Sequence, residues 1–140
     1  MRPDLEVIAY LYGEAPNKIL TLASADFKPV VNILVQTSRT PDGLLRAIMR
    51  ARDAAGNAAE AGTTWQSARY SEVYVRVAES VRNRGLGKSV VSAVSVEILA
   101  QNRTPIYMAG NDNIGSQRLA LRLGYHDTGG WELSGAMSLR

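Results

Sequence analysis

The sequence predicts an α/β fold of the α+β type, in which helices flank a mixed central sheet. The first observation is a strand pattern, a glycine turn and a helical stripe that follow one another from Ser71 to Leu99. The second is a set of short apolar segments on both sides of this unit, bounded by Gly, Pro and Asn, which is typical of antiparallel strands. A length of 140 residues suits one domain with a two-layer core.

The first part of the chain combines three strand patterns with one helical pattern. Apolar residues predict strands at Leu5–Tyr12, Lys18–Ala23 and Pro29–Gln36. Four apolar residues then recur at helical spacing, namely Leu44, Leu45, Ile48 and Met49. We therefore expect a helix from Asp42 to Ala61.

The middle of the chain contains a crossover unit. Strands are predicted at Thr63–Ala68, Ser71–Ala78 and Pro105–Ala109. A helical stripe separates the last two strands and consists of Val90, Val91, Val94, Ile98 and Leu99. Strands joined in this way are parallel neighbours, and ligands bind at their carboxyl ends. We therefore expect the loops after Ala78 and Ala109 to face the same edge of the sheet.

The last part of the chain predicts one helix and two strands. The helix covers Gly115–Leu123, where Asn113 can cap the first turn and Gly124 can end the last one. The strands are Tyr125–Thr128 and Trp131–Leu139, with a Thr-Gly-Gly turn between them.

Composition excludes several classes of function. There is no cysteine, which excludes disulfides, thiolate catalysis and cysteine metal sites. The net charge of +3 is small and spread along the chain, so we expect no nucleic-acid partner. No apolar run approaches membrane-spanning length, and the segment from Met1 to Glu14 lacks a leader pattern. We therefore expect a cytoplasmic protein with no membrane partner.

The loop from Val81 to Lys88 carries the clearest chemical signal, because it joins a strand to the start of a helix. Free amides at a helix start, together with nearby cationic side chains, suit a diphosphate. The sequence Gly87-Lys88-Ser89 resembles the end of a nucleotide-binding P-loop, but that motif requires a glycine where Arg82 stands. Nucleotide hydrolysis is therefore disfavoured.

Two motifs together resemble the Gcn5-related N-acetyltransferase (GNAT) family. The segment Arg82-Asn83-Arg84-Gly85-Leu86-Gly87 is similar to the family's pyrophosphate loop, Arg/Gln-x-x-Gly-x-Gly/Ala. The family's second helix and the start of its next strand are similar to Asn113-x-x-Ser116-x-x-Leu119 followed by Leu123-Gly124-Tyr125. Arg103-Thr104-Pro105 resembles the branch called FR47-like. The resemblance covers Thr63 to Trp131.

The resemblance implies that acetyl-CoA is a co-substrate, that no metal is used, and that the acetyl group passes by direct attack to a primary amine of a small molecule or peptide. The implied cofactor-binding residues are Tyr74, Val75, Val77, Arg82, Asn83, Arg84, Gly85, Leu86, Gly87, Lys88, Asn113 and Ser116. The attacking amine must be neutral, which calls for a carboxylate base. The resemblance implies Glu72 for this role, since the family often has a glutamate there.

One departure from the family concerns its usual general acid, a tyrosine whose position is occupied here by Ala120. The leaving thiolate is then protonated by water, by Tyr107 or by Tyr74, or it leaves without being protonated by any residue. Tyr125 occupies an aromatic position that normally belongs to the core. The alternative function is therefore a regulatory module that binds acetyl-CoA or CoA with little or no transfer.

A second departure concerns the N-terminal half, because the family usually begins with one strand and two helices. Either Pro29–Gln36 is the family's first strand after an added hairpin, or the helix at Asp42–Ala61 is wrong. We favour an altered N-terminal half and divide the domain into a divergent part, 1–62, and an acetyl-CoA-binding core, 63–140. The N-terminal half normally shapes the acceptor pocket, so the acceptor is not identified. Edge strands in the C-terminal half are compatible with a homodimer.

Overall fold

A computed structural model describes residues 17–50, 56–133 and 136–137, and these form a mixed sheet with two α-helices on one face. The predicted fold class is confirmed. The strands are β1 (Asn17–Thr21), β2 (Gln36–Arg39), β3 (Leu45–Arg50), β4 (Asn57–Gln66), β5 (Tyr70–Val77), β6 (Thr104–Gly110), β7 (His126–Leu133) and β8 (Ala136–Met137). The helices are α1 (Leu86–Ala100) and α2 (Ile114–Leu123).

The described strands form one sheet in the order β2-β3-β4-β5-β6-β1-β7-β8. The neighbours β5 and β6 run parallel, as the crossover pattern predicts, and all other neighbours are antiparallel. The strand predicted at Lys18–Ala23 is confirmed as β1, which lies between β6 and β7 rather than at an edge. The strand predicted at Leu5–Tyr12 lies outside the described residues.

The core lies between α1 and the centre of the sheet. The predicted stripe is confirmed, because Val90, Val91 and Ile98 have no exposed surface. They pack on β3, β4 and β5, where the alanines at 47, 59 and 61 are also buried and allow the helix to come close. Valine has a low intrinsic helix propensity, so tertiary packing stabilises α1.

The helix predicted at Asp42–Ala61 is wrong. Strand β3 and the first half of β4 occupy this segment, and residues 51–55 lie outside the described part. Leu45, Ala47 and Met49 are buried in alternation, which is the period of a strand. The spacing of the four apolar residues at 44, 45, 48 and 49 is compatible with both a helix and a strand, which explains the wrong prediction. Before α1 the described residues contain no α-helix, only 3-10 turns at Ser24–Asp26 and Glu79–Val81.

The strand predicted at Pro29–Gln36 is also wrong, since β2 begins only at Gln36. The segment is a loop in which Val31 and Ile33 face outward, with 89% and 94% of their surface exposed, while Val30 and Val35 pack against the core. The loop is held to α1 by the backbone N–H of Val30, which donates to Oγ of Ser92 at 2.8 Å. The β-branched residues of this segment therefore led to the wrong prediction of a strand.

The two strands predicted at Tyr125–Thr128 and Trp131–Leu139 are in fact one strand, β7, followed by the two-residue β8. The Thr-Gly-Gly sequence forms a bulge within β7 instead of a turn. Ile19 pairs with Gly130 while the next residue of β1 pairs with Asp127, and Gly129 has a φ of 79°. A bulge of this kind needs the left-handed backbone that glycine allows.

Candidate active site

The site begins in the loop between β5 and α1, where the backbone turns sharply before the helix starts. Asn83 and Gly85 both have left-handed backbone, with φ of 66° and 76°. Gly85 is the N-cap of α1 and has no side chain to satisfy the first amides. The amides at the start of α1 are therefore available to an acceptor, and the helix dipole makes an anion the preferred one.

Gly87 has a packing role that its motif does not reveal. A Cβ atom there would lie 2.9 Å from Cδ1 of Leu119 and 3.1 Å from Cγ2 of Val77. The first turn of α1 therefore lies directly against α2 and β5. A larger side chain at this position would separate these elements as well as block the loop.

The parallel strands β5 and β6 diverge beside this loop. Their pairing ends where Val73 lies opposite Tyr107, while β5 continues to Val77 and stays paired with β4. On the side of β6, the backbone from Tyr74 to Val77 is left without a strand partner. The gap is partly closed by Arg82, whose Nε donates to the carbonyl of Val77 at 3.3 Å.

A cleft of about 930 Å³ occupies the space between the diverging strands, the loop and α2. It is lined by Val75, Arg76, Val77, Arg82, Asn83, Gly85, Leu86, Gly87, Lys88, Tyr107, Asn113, Gly115, Ser116, Arg118, Leu119 and Arg122. All predicted cofactor residues belong to this lining except Tyr74 and Arg84. The side chain of Tyr74 lies on the opposite face of the sheet, and Arg84 is exposed on the loop.

The lining of the cleft is strongly cationic. Four of its side chains are positively charged, namely Arg82, Lys88, Arg118 and Arg122, and none of the described lining residues is acidic. Arg76 also belongs to the lining, but its guanidinium lies 5.3 Å from the ring centroid of Tyr74 on the other face of the sheet. The cleft therefore suits a ligand with several negative charges.

The second wall of the cleft is the start of α2. Asn113 is the N-cap, because its Oδ1 accepts from the backbone N–H of Ser116 at 3.1 Å, as predicted. Oγ of Ser116 also lies 2.7 Å from the hydroxyl of Tyr107. Burial raises the pKa of the Tyr107 hydroxyl, which is therefore protonated at neutral pH.

Sequence reasoning missed the outer residues of this wall, Gly115, Arg118, Leu119 and Arg122. Arg118 and Leu119 lie three and four residues after Gly115, and Arg122 lies four and three residues after them, which places all four on one face of α2. That helical spacing, counted from the predicted cap, is the signal that could have found them.

Glu72 does not line the cleft. Along β5 the side chains of Val73 and Val75 face the helices, so the alternation of a strand places Glu72 on the other face. Its Oε1 accepts a hydrogen bond of 2.6 Å from Oγ1 of Thr64 on β4. It lies one residue before the point where β5 and β6 stop pairing.

A polar network on this same face was also missed. The hydroxyl of Tyr74 donates to Oε2 of Glu60 at 2.6 Å, and Nη2 of Arg46 lies 3.1 Å from Oε1. Burial and the hydrogen bond to Glu60 raise the pKa of Tyr74 to about 12. The ring lies on Gly62, where a Cβ atom would be 2.7 Å away from it.

The described residues lack two further features. They contain no group of three or more His, Asp or Glu side chains placed to hold a metal ion. Neither of the α-helices in the described ranges has the length and apolar character needed to cross a membrane.

Comparisons with known proteins agree with this architecture. The family model for FR47-like protein matches residues 56–132. The chain is similar to an acetyltransferase of the GNAT family from Colwellia psychrerythraea, with a TM-score of 0.69 and 12% identity over 89% of this chain and 59% of that one. It is similar to a GCN5-related N-acetyltransferase from Kribbella flavida, with a TM-score of 0.62 and 17% identity over 89% of this chain and 60% of that one.

The chain spans less than two thirds of the length of these solved structures. No curated protein matches its sequence. The low identities show a shared fold, while the family model covers more than half of the chain and includes the loop, both helices and the diverging strands. The chain therefore belongs to the FR47-like family and has the fold of the Gcn5-related N-acetyltransferases.

Proposed function

We propose that the chain is an N-acetyltransferase that transfers the acetyl group of acetyl-CoA to a primary amine of a small molecule or peptide by direct attack. The observation that carries this proposal is the cationic cleft between diverging strands, with the uncapped start of α1 at its wall. Membership of the FR47-like family supports it.

The residues of the loop fit the diphosphate of CoA. The amides at the start of α1 have no side-chain cap, and Arg82 and Lys88 supply positive charge beside them. Helix N-termini with free amides are common phosphate sites. The absence of acidic side chains from the lining means that nothing there repels the ligand.

The backbone of β5 fits the pantetheine arm. The unpartnered edge from Tyr74 to Val77 can pair with its amide groups in the manner of an added strand. Asn113 and Ser116 then contact the arm from α2. Tyr74 takes part through its backbone alone, because its hydroxyl is bound to Glu60 on the far face.

Glu72 is the proposed base. The acetyl group at the inner end of the cleft is reached through the gap between the strands, so the amine approaches from the face on which the described residues place no helix. Glu72 lies on that face, one residue before the gap, and Thr64 orients its carboxylate. It takes a proton from the ammonium form of the acceptor directly or through water.

Tyr107 is the proposed general acid, in place of the tyrosine that the family usually has where this chain has Ala120. Tyr107 lines the cleft, its hydroxyl pairs with Ser116, and burial keeps the pKa of that hydroxyl above the ordinary value. Tyr74 is the weaker candidate, since its proton is engaged by Glu60.

The test is release of CoA thiol from acetyl-CoA against a panel of primary amines, from pH 6 to pH 9. We expect turnover with at least one amine. We expect Glu72→Gln to lose most activity at the acid end, where removing the ammonium proton is hardest. The matched control is Glu97→Gln on the exposed side of α1. An unchanged pH profile in Glu72→Gln would assign the base elsewhere.

The alternative is a module that binds acetyl-CoA or CoA without transfer, and the burial of Ala120 favours it, because no acid reaches the cleft from that position. Tight binding of acetyl-CoA with no thiol release from the whole panel would support this function over catalysis.

A further inference from the structure

A bulge in β4 places two side chains beside Glu72. The register of β4 against β5 shifts between Thr63 and Trp65, so Thr64 is an extra residue on β4. Thr64 and Trp65 therefore both stand opposite Glu72, where a regular strand would have one residue. Thr64 binds the carboxylate, while Trp65 is the residue paired with Glu72 and so lies on the same face of the sheet.

The indole of Trp65 has free surface. Trp65 is 42% exposed, and its side chain has no hydrogen bond, ring contact or cation contact in the described part of the chain. The ring of Tyr74, two residues along β5 from Glu72, is already occupied. It lies on Gly62, and the guanidinium of Arg76 is 5.3 Å from its centroid. Trp65 therefore offers a ligand an aromatic surface that Tyr74 does not.

The charges on this face call for one cationic group on the ligand. Strands β1 to β6 contain two acidic residues, Glu60 and Glu72. Glu60 already binds Tyr74 and Arg46, so its charge is compensated within the protein. Glu72 has no cationic partner among the described residues, and its neighbour on β6 is the apolar Ile106. A ligand that matches this face carries one ammonium group on an apolar body, because a second ammonium group would find no free carboxylate on these strands.

We propose that Trp65 selects an acceptor whose amine is attached to an aromatic ring through a short alkyl chain. This inference rests on the proposed function, in which Glu72 takes the proton from that amine. Neighbouring strands lie about 4.8 Å apart, so Trp65 on β4 is about 7 Å across the sheet from the gap between β5 and β6. With the nitrogen at the gap beside Glu72, a short alkyl chain lets the ring of the acceptor stack on the exposed indole.

The test is the rate of CoA thiol release with 2-phenylethylamine, 2-cyclohexylethylamine and putrescine. The first two amines have the same linker and apolar bodies of similar size, so the ratio of their kcat/KM values reports aromatic stacking. We expect a ratio of about fivefold in favour of 2-phenylethylamine, the effect of a typical aromatic pair, and a lower kcat/KM for putrescine. The difference should lie in KM, because the ring is remote from the reacting atoms.

Variants of two equally exposed rings assign this preference to one of them. In Trp65→Leu we expect the preference for 2-phenylethylamine to disappear, while Trp65→Phe keeps most of it. The matched control is Tyr70→Leu, because Tyr70 is also 42% exposed and shares the face of Glu72, but lies where β5 and β6 are still paired. This control should keep the preference of the wild type, and all three variants should bind acetyl-CoA with an unchanged Kd.

The outcomes separate the inference from the function on which it rests. Turnover of the amines without a preference for 2-phenylethylamine, or a preference that Trp65→Leu retains, would overturn the role of Trp65 and leave the acetyltransferase function standing. Faster turnover of putrescine than of either monoamine would also overturn it, since the acceptor would then be a dication. Binding of acetyl-CoA with no thiol release from any amine would contradict the inference and the proposed function together.

Discussion

At the residue scale, the candidate site divides into groups that face the cleft and groups that face the open side of the sheet. Tyr107 and Ser116 belong to the first set and form a hydrogen-bonded pair. Glu72 belongs to the second set, held by Thr64. In the proposed function, the base and the acid therefore lie on opposite faces of the sheet, beside the gap between β5 and β6.

The role of Tyr107 gives the first prediction. Tyr107→Phe should lower kcat about 100-fold, a typical contribution of a general acid, and leave the Kd of acetyl-CoA unchanged. Tyr125→Phe is the matched control, because its buried hydroxyl binds Ser95 at 2.7 Å outside the cleft. Steady-state kinetics and calorimetry check both variants. Equal kcat in Tyr107→Phe and the wild type would remove this residue from the mechanism.

The network around Glu60 gives a prediction about stability and pH. Burial raises the pKa of Glu60, but hydrogen bonds from Tyr74 and Arg46 outweigh that effect, so the pKa lies below the ordinary value of 4.5. The ionised carboxylate therefore contributes stability above pH 4.5, and this contribution is lost as the pH falls through the lower, folded-state pKa.

In urea unfolding, the stability gap between the wild type and Glu60→Gln should be constant from pH 7 to about pH 5 and shrink below the ordinary carboxyl pKa. The other carboxylates titrate in both proteins, so their contributions cancel in the difference between the two stabilities. A gap that stays constant down to pH 3 would show that the network does not depend on the charge of Glu60.

At the scale of elements, the parts with strong local signals were predictable and the rest were not. Helix α2 has a polar cap at Asn113 and a glycine at its end, and both were predicted from the sequence. Strand β3 was mistaken for a helix because the spacing of its apolar residues is compatible with both a helix and a strand. Only the alternating burial of Leu45, Ala47 and Met49 identifies the strand. The bulge at Gly129 was mistaken for a turn because the partner strand β1 is distant in sequence.

The candidate site shows the same division. Loop residues such as Arg82 and Gly87 were predictable because motif and neighbouring elements are contiguous. The arginines of α2 were missed, although their helical spacing from Asn113 could have found them. The Glu60–Tyr74 pair was not predictable, since it depends on the register of β4 and β5, and the first half of β4 was assigned to a helix.

The end of α2 gives a stability prediction. Gly124 has a φ of 104°, and a Cβ atom there would lie 2.0 Å from the carbonyl oxygen of Asp26. Gly124→Ala should therefore destabilise the protein by about 3 kcal/mol or more, from backbone strain together with overpacking. Gly43→Ala is the control: its φ of 85° is also left-handed, but nothing lies within 4 Å, so about 1 kcal/mol is expected. Equal losses in thermal or urea unfolding would contradict the packing argument.

At the scale of the whole molecule, the first described strand, β1, lies between β6 and β7, two strands of the C-terminal half. This placement could not be predicted, because no local pattern says which strands will be neighbours. One face of the sheet carries α1 and α2, while the described residues place no helix on the face that holds Glu72 and Glu60. The division at residue 62 and the homodimer stay predictions.

We propose that the cleft binds acetyl-CoA through the loop before α1. This proposal is tested most directly by calorimetric titration of acetyl-CoA into the wild type and Arg82→Glu, since Arg82 is exposed and its reversal leaves the packing around Gly87 intact. We expect saturable binding without magnesium in the wild type and loss of that binding in a variant with an unchanged melting temperature. Absence of binding in the wild type, or equal affinity in the folded variant, would contradict it.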